Sequence, residues 1–219
     1  MALSSRRRIA LVAATVAALA ATGATVAITT ASAAGCSDVE IVFARGSGEP
    51  QGLGSVGAPL VRAVSSGLSG RTVTSYAVRY AARLDQSSAG PGATDMSNRV
   101  TSVAAQCPNT AFVLGGYSQG ASVTDIAIGI RTLLGTGTTI PTNLAGKVKA
   151  VVVFGNPLRL YGQSINQASA LYGPRALDQC NTGDPVCAGG GNFMAHLQYQ
   201  TNGSITRAAQ FAVGKVTAG

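Results

Sequence analysis

The stretch AFVLGGYSQGA, residues 111–121, decides the fold, because an apolar run leads into glycines around Ser118 and a helical pattern follows. The pattern Gly-x-Ser-x-Gly from Gly116 to Gly120 describes a nucleophile elbow. Small residues there allow a strained turn from strand to helix that exposes the serine oxygen. With 28 glycines in the chain, the five-residue pattern alone is weak evidence. The strand before it and the helix after it carry the prediction of a serine nucleophile.

Alternating strand and helix patterns extend in both directions from this segment. Apolar and β-branched runs predict strands over residues 39–44, 72–80, 111–114 and 149–154. Helical spacing predicts helices over residues 59–68, from a cap at Asp95 toward Cys107, over 119–134 and over 204–216, with loops at 87–94 and 157–191. This alternation predicts an α/β fold with a central, mostly parallel sheet flanked by helices on both faces.

The N-terminus has the pattern of a secretory signal peptide. Three arginines, residues 6–8, precede an apolar stretch over 9–28 and the small residues Ala31 to Ala33. We therefore predict a signal peptide over 1–33 and a single domain over 34–219, exported and extracellular. The apolar stretch is long enough to span a bilayer, so an uncleaved anchor is the competing interpretation.

The charge distribution excludes a dedicated nucleic-acid-binding protein. The formal net charge is +8, of which three charges come from the arginines at 6–8, so the predicted mature chain carries +5. These charges are spread along the chain without a basic stripe interleaved with aromatic residues. We expect a monomer with transient contact with lipid or polymer surfaces and no nucleic-acid partner.

All four cysteines follow the predicted signal, and an even number in an exported chain predicts two disulfides. Three pairings are possible. We favour Cys36 with Cys107, which ties the mature N-terminus to the segment before the Ser118 strand, and Cys180 with Cys187, which closes a tight loop. Metal binding by these cysteines is the alternative, but no Cys-x-x-Cys pair is present.

A serine nucleophile needs a base, and His196 is the single histidine of the chain. A carboxylate must orient that imidazole. In α/β-hydrolases the acid lies between serine and histidine along the chain, which leaves Asp125, Asp178 and Asp184. Asp125 would point away from the serine, and Asp178 is expected on the outer side of a loop. Asp184 is favoured, because the cysteine loop and Pro185 would hold it rigidly.

The oxyanion of the reaction needs backbone or side-chain donors near the serine. The N–H group of the residue after the nucleophile, Gln119, is one expected donor. The second is expected in the loop after the first strand, where Ser47 follows Gly46.

Five segments in this order resemble the cutinases and the cutinase-like esterases of actinobacteria. They cover residues 36–50, 115–121, 154–157, 180–187 and 195–197. The resemblance implies a small secreted α/β-hydrolase. In residue terms, it implies Ser118 as nucleophile, Asp184 as acid, His196 as base, and Ser47 with Gln119 at the oxyanion hole. It also implies the two favoured disulfides.

The resulting hypothesis is a secreted carboxylic ester hydrolase with no cofactor and no metal. Its substrates would be cutin-like polyesters or short- to medium-chain acyl esters. An apolar rim of Leu53, Val186, Phe193 and Met194 would contact the acyl group. The nearest alternative is a lipase, phospholipase or thioesterase acting on membrane or cell-envelope lipids. A peptidase, and a surface-binding protein whose catalysis has lapsed, are further alternatives.

Overall fold

The computed structural model describes residues 35–218, so the predicted signal peptide lies outside the described residues. The strands and helices follow in the order β1 Val39–Ala44, α1 Gly54–Gly67, β2 Val73–Ala77, α2 Ala89–Gln106, β3 Ala111–Tyr117, α3 Gln119–Ala127, β4 Val148–Phe154, α4 Ile165–Ala168, β5 Ala176–Gln179, α5 Phe193–Leu197 and α6 Ser204–Thr217. Short 3-10 helices cover Thr142–Lys147, Pro157–Tyr161 and Gly173–Arg175. Among residues 35–218, no helix is both long enough and apolar enough to cross a bilayer.

All the strands run parallel in one sheet with the order β2-β1-β3-β4-β5. The chain goes from β1 outward to β2 and then returns to β3 on the other side of β1. In open α/β sheets, ligands bind in the crevice where the strand order reverses in this way. Ala44 pairs with Gly116 across β1 and β3, so the loops after these two strands lie side by side. The topology thereby brings the Ser47 loop next to Ser118.

Helices cover both faces of the sheet, as predicted. Along β1, Val42 and Ala44 face the core shared with α2 and α3, whereas Ile41 and Phe43 face the core shared with α1 and α6. All four side chains are fully buried. Burial on both faces explains why β1 and β4 appear in the sequence as nearly continuous apolar runs.

The first predicted helix starts too late in the chain. Helix α1 begins at Gly54, which places Pro59 inside the helix and not near its start. The first turn of α1, which the prediction left out, is glycine-rich, and its cap comes from Glu49, six residues before Ser55. The Glu49 carboxylate accepts the N–H of Ser55 at 2.8 Å and so satisfies one of the free donors of the helix N-terminus.

Two further helix predictions need correction. Asp95 does not cap α2, which begins at Ala89; its carboxylate accepts the Arg79 N–H and the Tyr76 hydroxyl. Helix α3 ends at Ala127, well before residue 134, and Gly129 adopts a φ of +89° that no longer fits a helix. The predicted closing helix is confirmed, although Val213, expected inside, is only partly buried.

The loop predicted over 157–191 contains a strand. Residues of β5 pair in parallel with the end of β4. Asp178 lies on this strand and its side chain is fully buried, so its expected position on the outer side of a loop is wrong. Its carboxylate accepts hydrogen bonds from the Asn156 side chain at 2.9 Å and from the Ile165 N–H at 3.0 Å.

A second carboxylate, Asp125 on α3, is buried near Asp178. Its side chain is fully buried, and neither of its oxygens has a hydrogen-bond partner among the described residues. Burial raises the pKa of Asp125 well above its ordinary value, and the charge of Asp178 raises it further. Folding therefore favours the protonated form of Asp125.

Replacing Asp125 with asparagine tests this protonation. The folded protein keeps a proton that the unfolded chain releases above pH about 4, so the free energy of unfolding falls as pH rises toward the raised pKa. Asparagine carries no titrating proton, so we expect the free energy of unfolding of Asp125→Asn to change less with pH. The variant should gain about 1.4 kcal/mol relative to the parent for each pH unit over which the parent loses stability. Urea unfolding between pH 4 and 8 measures the effect.

Asp85→Asn is the matched control, because the Asp85 carboxylate is exposed and hydrogen bonds from Arg83 and Ser87 lower its pKa. It should bring no gain at high pH. Equal loss of stability in Asp125→Asn at every pH would contradict a protonated Asp125.

Candidate active site

Ser118 occupies a strained turn between β3 and α3. Its φ is +55° with ψ −120°, a combination that few residues other than glycine adopt. The Ser118 N–H donates to the Phe154 carbonyl at 2.9 Å, which fixes the turn to the end of β4. A Cβ at Gly116 would collide with the Gly120 backbone, and one at Gly120 with the Ala44 carbonyl. These two glycines therefore allow the backbone contacts on which the turn depends.

His196 and Asp184 form a buried pair. The imidazole Nδ1 lies 2.9 Å from Asp184 Oδ2, with His196 4% exposed and Asp184 fully buried. An ionised carboxylate can only accept, so Nδ1 carries the proton and Nε2 is left as the basic nitrogen. Histidine Nδ1–H on a carboxylate is the arrangement that orients a general base.

The Asp184 carboxylate accepts hydrogen bonds on both oxygens. Oδ1 accepts the Val186 N–H at 2.8 Å, and Oδ2 accepts the Tyr199 hydroxyl at 2.7 Å in addition to His196. Burial alone would raise the pKa of Asp184, but these donors outweigh it and the pKa lies below its ordinary value. The carboxylate is therefore ionised at neutral pH.

Both favoured disulfides are confirmed. Cys180 pairs with Cys187 around Asp184, and Cys36 pairs with Cys107 at the end of α2. The two sulfur atoms of the first pair and the Asp184 carboxylate lie within 4.8 Å of one another, close enough to suggest a metal site. The sulfurs are bonded to each other, however, and metal binding requires thiolates. The disulfide accounts for this cluster.

Two charged residues that were not predicted as part of the site hold the loop after β1, the buried Arg45 and the partly buried Glu49. The Glu49 carboxylate accepts the Gly46 N–H at 2.7 Å. The Arg45 guanidinium donates to the Glu49 carbonyl at 2.7 Å and to the Tyr80 carbonyl at 2.9 Å, with its charge over the Tyr80 ring. Ser47 lies in the middle of this loop, and its buried Oγ has no partner among the described residues.

Gln119 begins α3, so its backbone N–H belongs to the donors that have no partner within the helix. Its side chain is fully buried, with Oε1 accepting from Ser88 Oγ at 3.4 Å. Gln119 is not among the residues that line the cavity at Ser118, and the predicted role concerns only its backbone N–H.

Ser118, His196 and Ser47 line one open cavity of about 460 Å³. Of the predicted apolar rim, Val186 and Phe193 line it, whereas Leu53 packs against the core beside α1 and Met194 is exposed outside it. The remaining lining residues were not predicted as part of the site, and they are Glu49, Ser55, Leu84, Gln86, Tyr117, Leu197 and Gln200.

Two tyrosines support the histidine. Tyr117 stacks on His196 with ring centres 5.0 Å apart, and its hydroxyl donates to the His196 carbonyl at 2.8 Å. The Tyr199 ring meets His196 edge-on. Tyr117 could have been suspected from its place beside Ser118 and Tyr199 from its spacing three residues after the histidine, but neither position alone indicates the contact.

Comparison with known proteins identifies the family. The family described as Cutinase matches residues 35–216. A cutinase of Kineococcus radiotolerans is 60% identical over 188 residues, which cover 85% of this chain and 64% of the relative's own length. Two Mycobacterium tuberculosis proteins are each 39% identical: the carboxylesterase Culp1, with 83% of this chain and 82% of the relative covered, and the phospholipase Culp4, with 97% and 93% covered.

Solved structures agree with these matches. A Trichoderma reesei cutinase, solved with a phosphonate inhibitor, superposes with a TM-score of 0.65 at 31% identity, covering 83% of this chain and 77% of the other. The predicted α/β-hydrolase fold is thereby confirmed. The chain belongs to the cutinase family.

Proposed function

We propose that this chain is a secreted serine esterase with Ser118 as nucleophile, His196 as general base and Asp184 as the orienting acid. One observation carries the proposal. Ser118, in its strained turn, and His196 line the same open cavity, and His196 is hydrogen-bonded to the buried, ionised Asp184. Serine, base and acid in such an arrangement perform acyl transfer on many unrelated folds.

In the proposed reaction, Ser118 Oγ attacks the ester carbonyl carbon while its proton passes to His196 Nε2. The tetrahedral oxyanion is stabilised by the Gln119 N–H and by donors of Ser47. Collapse breaks the bond to the leaving alcohol, which takes the proton from His196 and leaves an acyl-enzyme. Water then attacks this ester, with His196 again accepting the proton and returning it to Ser118 Oγ as the carboxylic acid departs.

Export is part of the same proposal. The N-terminal signal pattern predicts it, and the two disulfides support it, because disulfides persist in oxidising compartments. The monomeric state remains a prediction.

Removing the nucleophile tests the mechanism. We expect Ser118→Ala to lower p-nitrophenyl butyrate hydrolysis by at least about 10⁴-fold, as loss of a nucleophile does in other serine hydrolases. The circular dichroism spectrum should not change. A fluorophosphonate probe should label the parent and not the variant. Retained turnover in Ser118→Ala would contradict the triad, and absence of labelling in the parent would favour a binding protein without catalysis.

Ser47 tests the oxyanion hole. Its Oγ is buried and unpartnered among the described residues, and Ser47 lines the same cavity as Ser118, so the hydroxyl is free to donate. We expect Ser47→Ala to lower kcat about 100-fold with an unchanged melting temperature, because loss of one such donor costs about 3 kcal/mol. Ser55→Ala is the control, since Ser55 lines the same cavity and takes no part in the proposed chemistry. Equal activities of the two variants would remove Ser47 from the proposal.

The proposed substrates are short- to medium-chain acyl esters and cutin-like polyesters. Leu84, Phe193 and Leu197 line the cavity and are 83%, 58% and 45% exposed, so an apolar substrate surface can reach them directly. The Glu49 carboxylate lines the same cavity, and its negative charge disfavours a phosphate group near Ser118. Both features support neutral esters as substrates.

The second candidate, a phospholipase, is favoured by the similarity to Culp4. An ester series separates the two candidates: p-nitrophenyl esters of increasing acyl length, a polycaprolactone film and vesicles of phosphatidylglycerol, whose head group has a net negative charge. We expect hydrolysis of the shorter esters and of the film at rates at least about tenfold above those on vesicles, since the Glu49 carboxylate repels an anionic head group. Faster release of fatty acid from the vesicles would assign the site to lipids.

A further inference from the structure

Tyr199 lies at the centre of the contacts around Asp184. It follows α5, is fully buried, and packs edge-on against His196 and Phe154 with ring centres 6.2 and 5.8 Å away. Its hydroxyl oxygen lies 2.7 Å from Asp184 Oδ2, 2.9 Å from the Asn181 nitrogen and 3.4 Å from Cys187 Sγ. One oxygen atom therefore contacts the acid and two points of the disulfide loop that carries it.

The direction of these hydrogen bonds follows from the groups involved. A backbone N–H can only donate, so the hydroxyl accepts from Asn181. The single hydroxyl proton is then free for the carboxylate, which can only accept. Asp184 Oδ2 is thus shared between two donors, His196 Nδ1–H and the Tyr199 hydroxyl. Burial and the hydrogen bond to Asp184 raise the pKa of Tyr199, so this proton stays in place at every pH at which an esterase works.

From this geometry we propose that Tyr199 is a positioning residue of the catalytic machinery, acting on His196 through Asp184. The inference rests on the proposed triad. The Tyr199 hydroxyl holds the Asp184 carboxylate in contact with the imidazole, and its hydrogen bond stabilises part of the negative charge of the carboxylate. Because the hydroxyl shares Oδ2 with His196, the carboxylate acts on two donors and not on the imidazole alone.

Packing supports the same role. The Tyr199 ring closes one side of the imidazole, Tyr117 stacks on its face, and Gly155 approaches both His196 and Tyr199 from the end of β4. A Cβ at Gly155 would come within 2.7 Å of His196 and 3.3 Å of Tyr199. The imidazole therefore has little freedom to turn away from Asp184.

The test removes only the hydroxyl. We expect Tyr199→Phe to lower kcat for p-nitrophenyl butyrate about 10- to 100-fold, because the carboxylate that positions His196 is no longer held and misplacement of a catalytic group costs up to about 100-fold. KM should stay within about twofold, because Tyr199 does not line the cavity. The acid limb of the kcat/KM profile should move to higher pH, since Asp184 Oδ2 then accepts from the imidazolium alone.

Tyr172→Phe is the matched control. Tyr172 is also buried, at 2% exposure, and its hydroxyl has no partner among the described residues. Its activity and pH profile should equal those of the parent. Titration of reactive serines with a fluorophosphonate probe gives kcat per folded active site, so partial unfolding of either variant does not obscure the comparison.

An unchanged acid limb and unchanged kcat in Tyr199→Phe would overturn the role of Tyr199. A fall in kcat without a shift of the acid limb would also overturn it, because it would mean a purely structural effect. Either result, with Ser118→Ala inactive, would leave the triad standing. Activity retained in Ser118→Ala would instead refute the proposed function itself.

Discussion

The close approach of backbones at Gly116 and Gly120 is the constraint on which the rest of the site depends. A side chain at either glycine would separate α3 from β3 or from the end of β1. With the backbones in contact, the chain can turn at Ser118 with a positive φ, and the loops after β1 and β3 lie side by side. The strain at one serine is offset by the packing of the whole sheet, as is typical of functional turns.

The second half of the proposed site depends on a different principle. Asp184 is a charge taken out of water, and such a burial is tolerated only when donors replace the lost hydration. A short disulfide loop bends the chain so that the Val186 N–H reaches one oxygen of the carboxylate, while His196 and Tyr199 share the other. The disulfide loop therefore both positions the Asp184 carboxylate and supplies a donor that stabilises its charge.

Sequence patterns predict the elements whose formation depends on residues close together along the chain. Strands β1 and β4, buried on both faces, appear as apolar runs and were predicted to within one residue. Strand β5 was missed because its four residues include Asp178, which is buried only through partners from distant segments. The start of α1 depends on a cap from Glu49, outside the usual capping positions. The contact of Tyr199 with Asp184 crosses fifteen residues and leaves no local signal.

Three buried aspartates lie between Ser118 and His196 along the chain. Their order in the sequence does not distinguish the catalytic candidate, but their environments do. Asp125 has no donor among the described residues, and burial raises its pKa. Burial likewise raises the pKa of Asp178, despite donors from Asn156 and Ile165. Only at Asp184 do the hydrogen bonds outweigh burial. An acid that stabilises an imidazolium must itself be ionised, so a protonated Asp125 could not perform that task even if it lay beside His196. This difference supports Asp184 independently of the resemblance to cutinases.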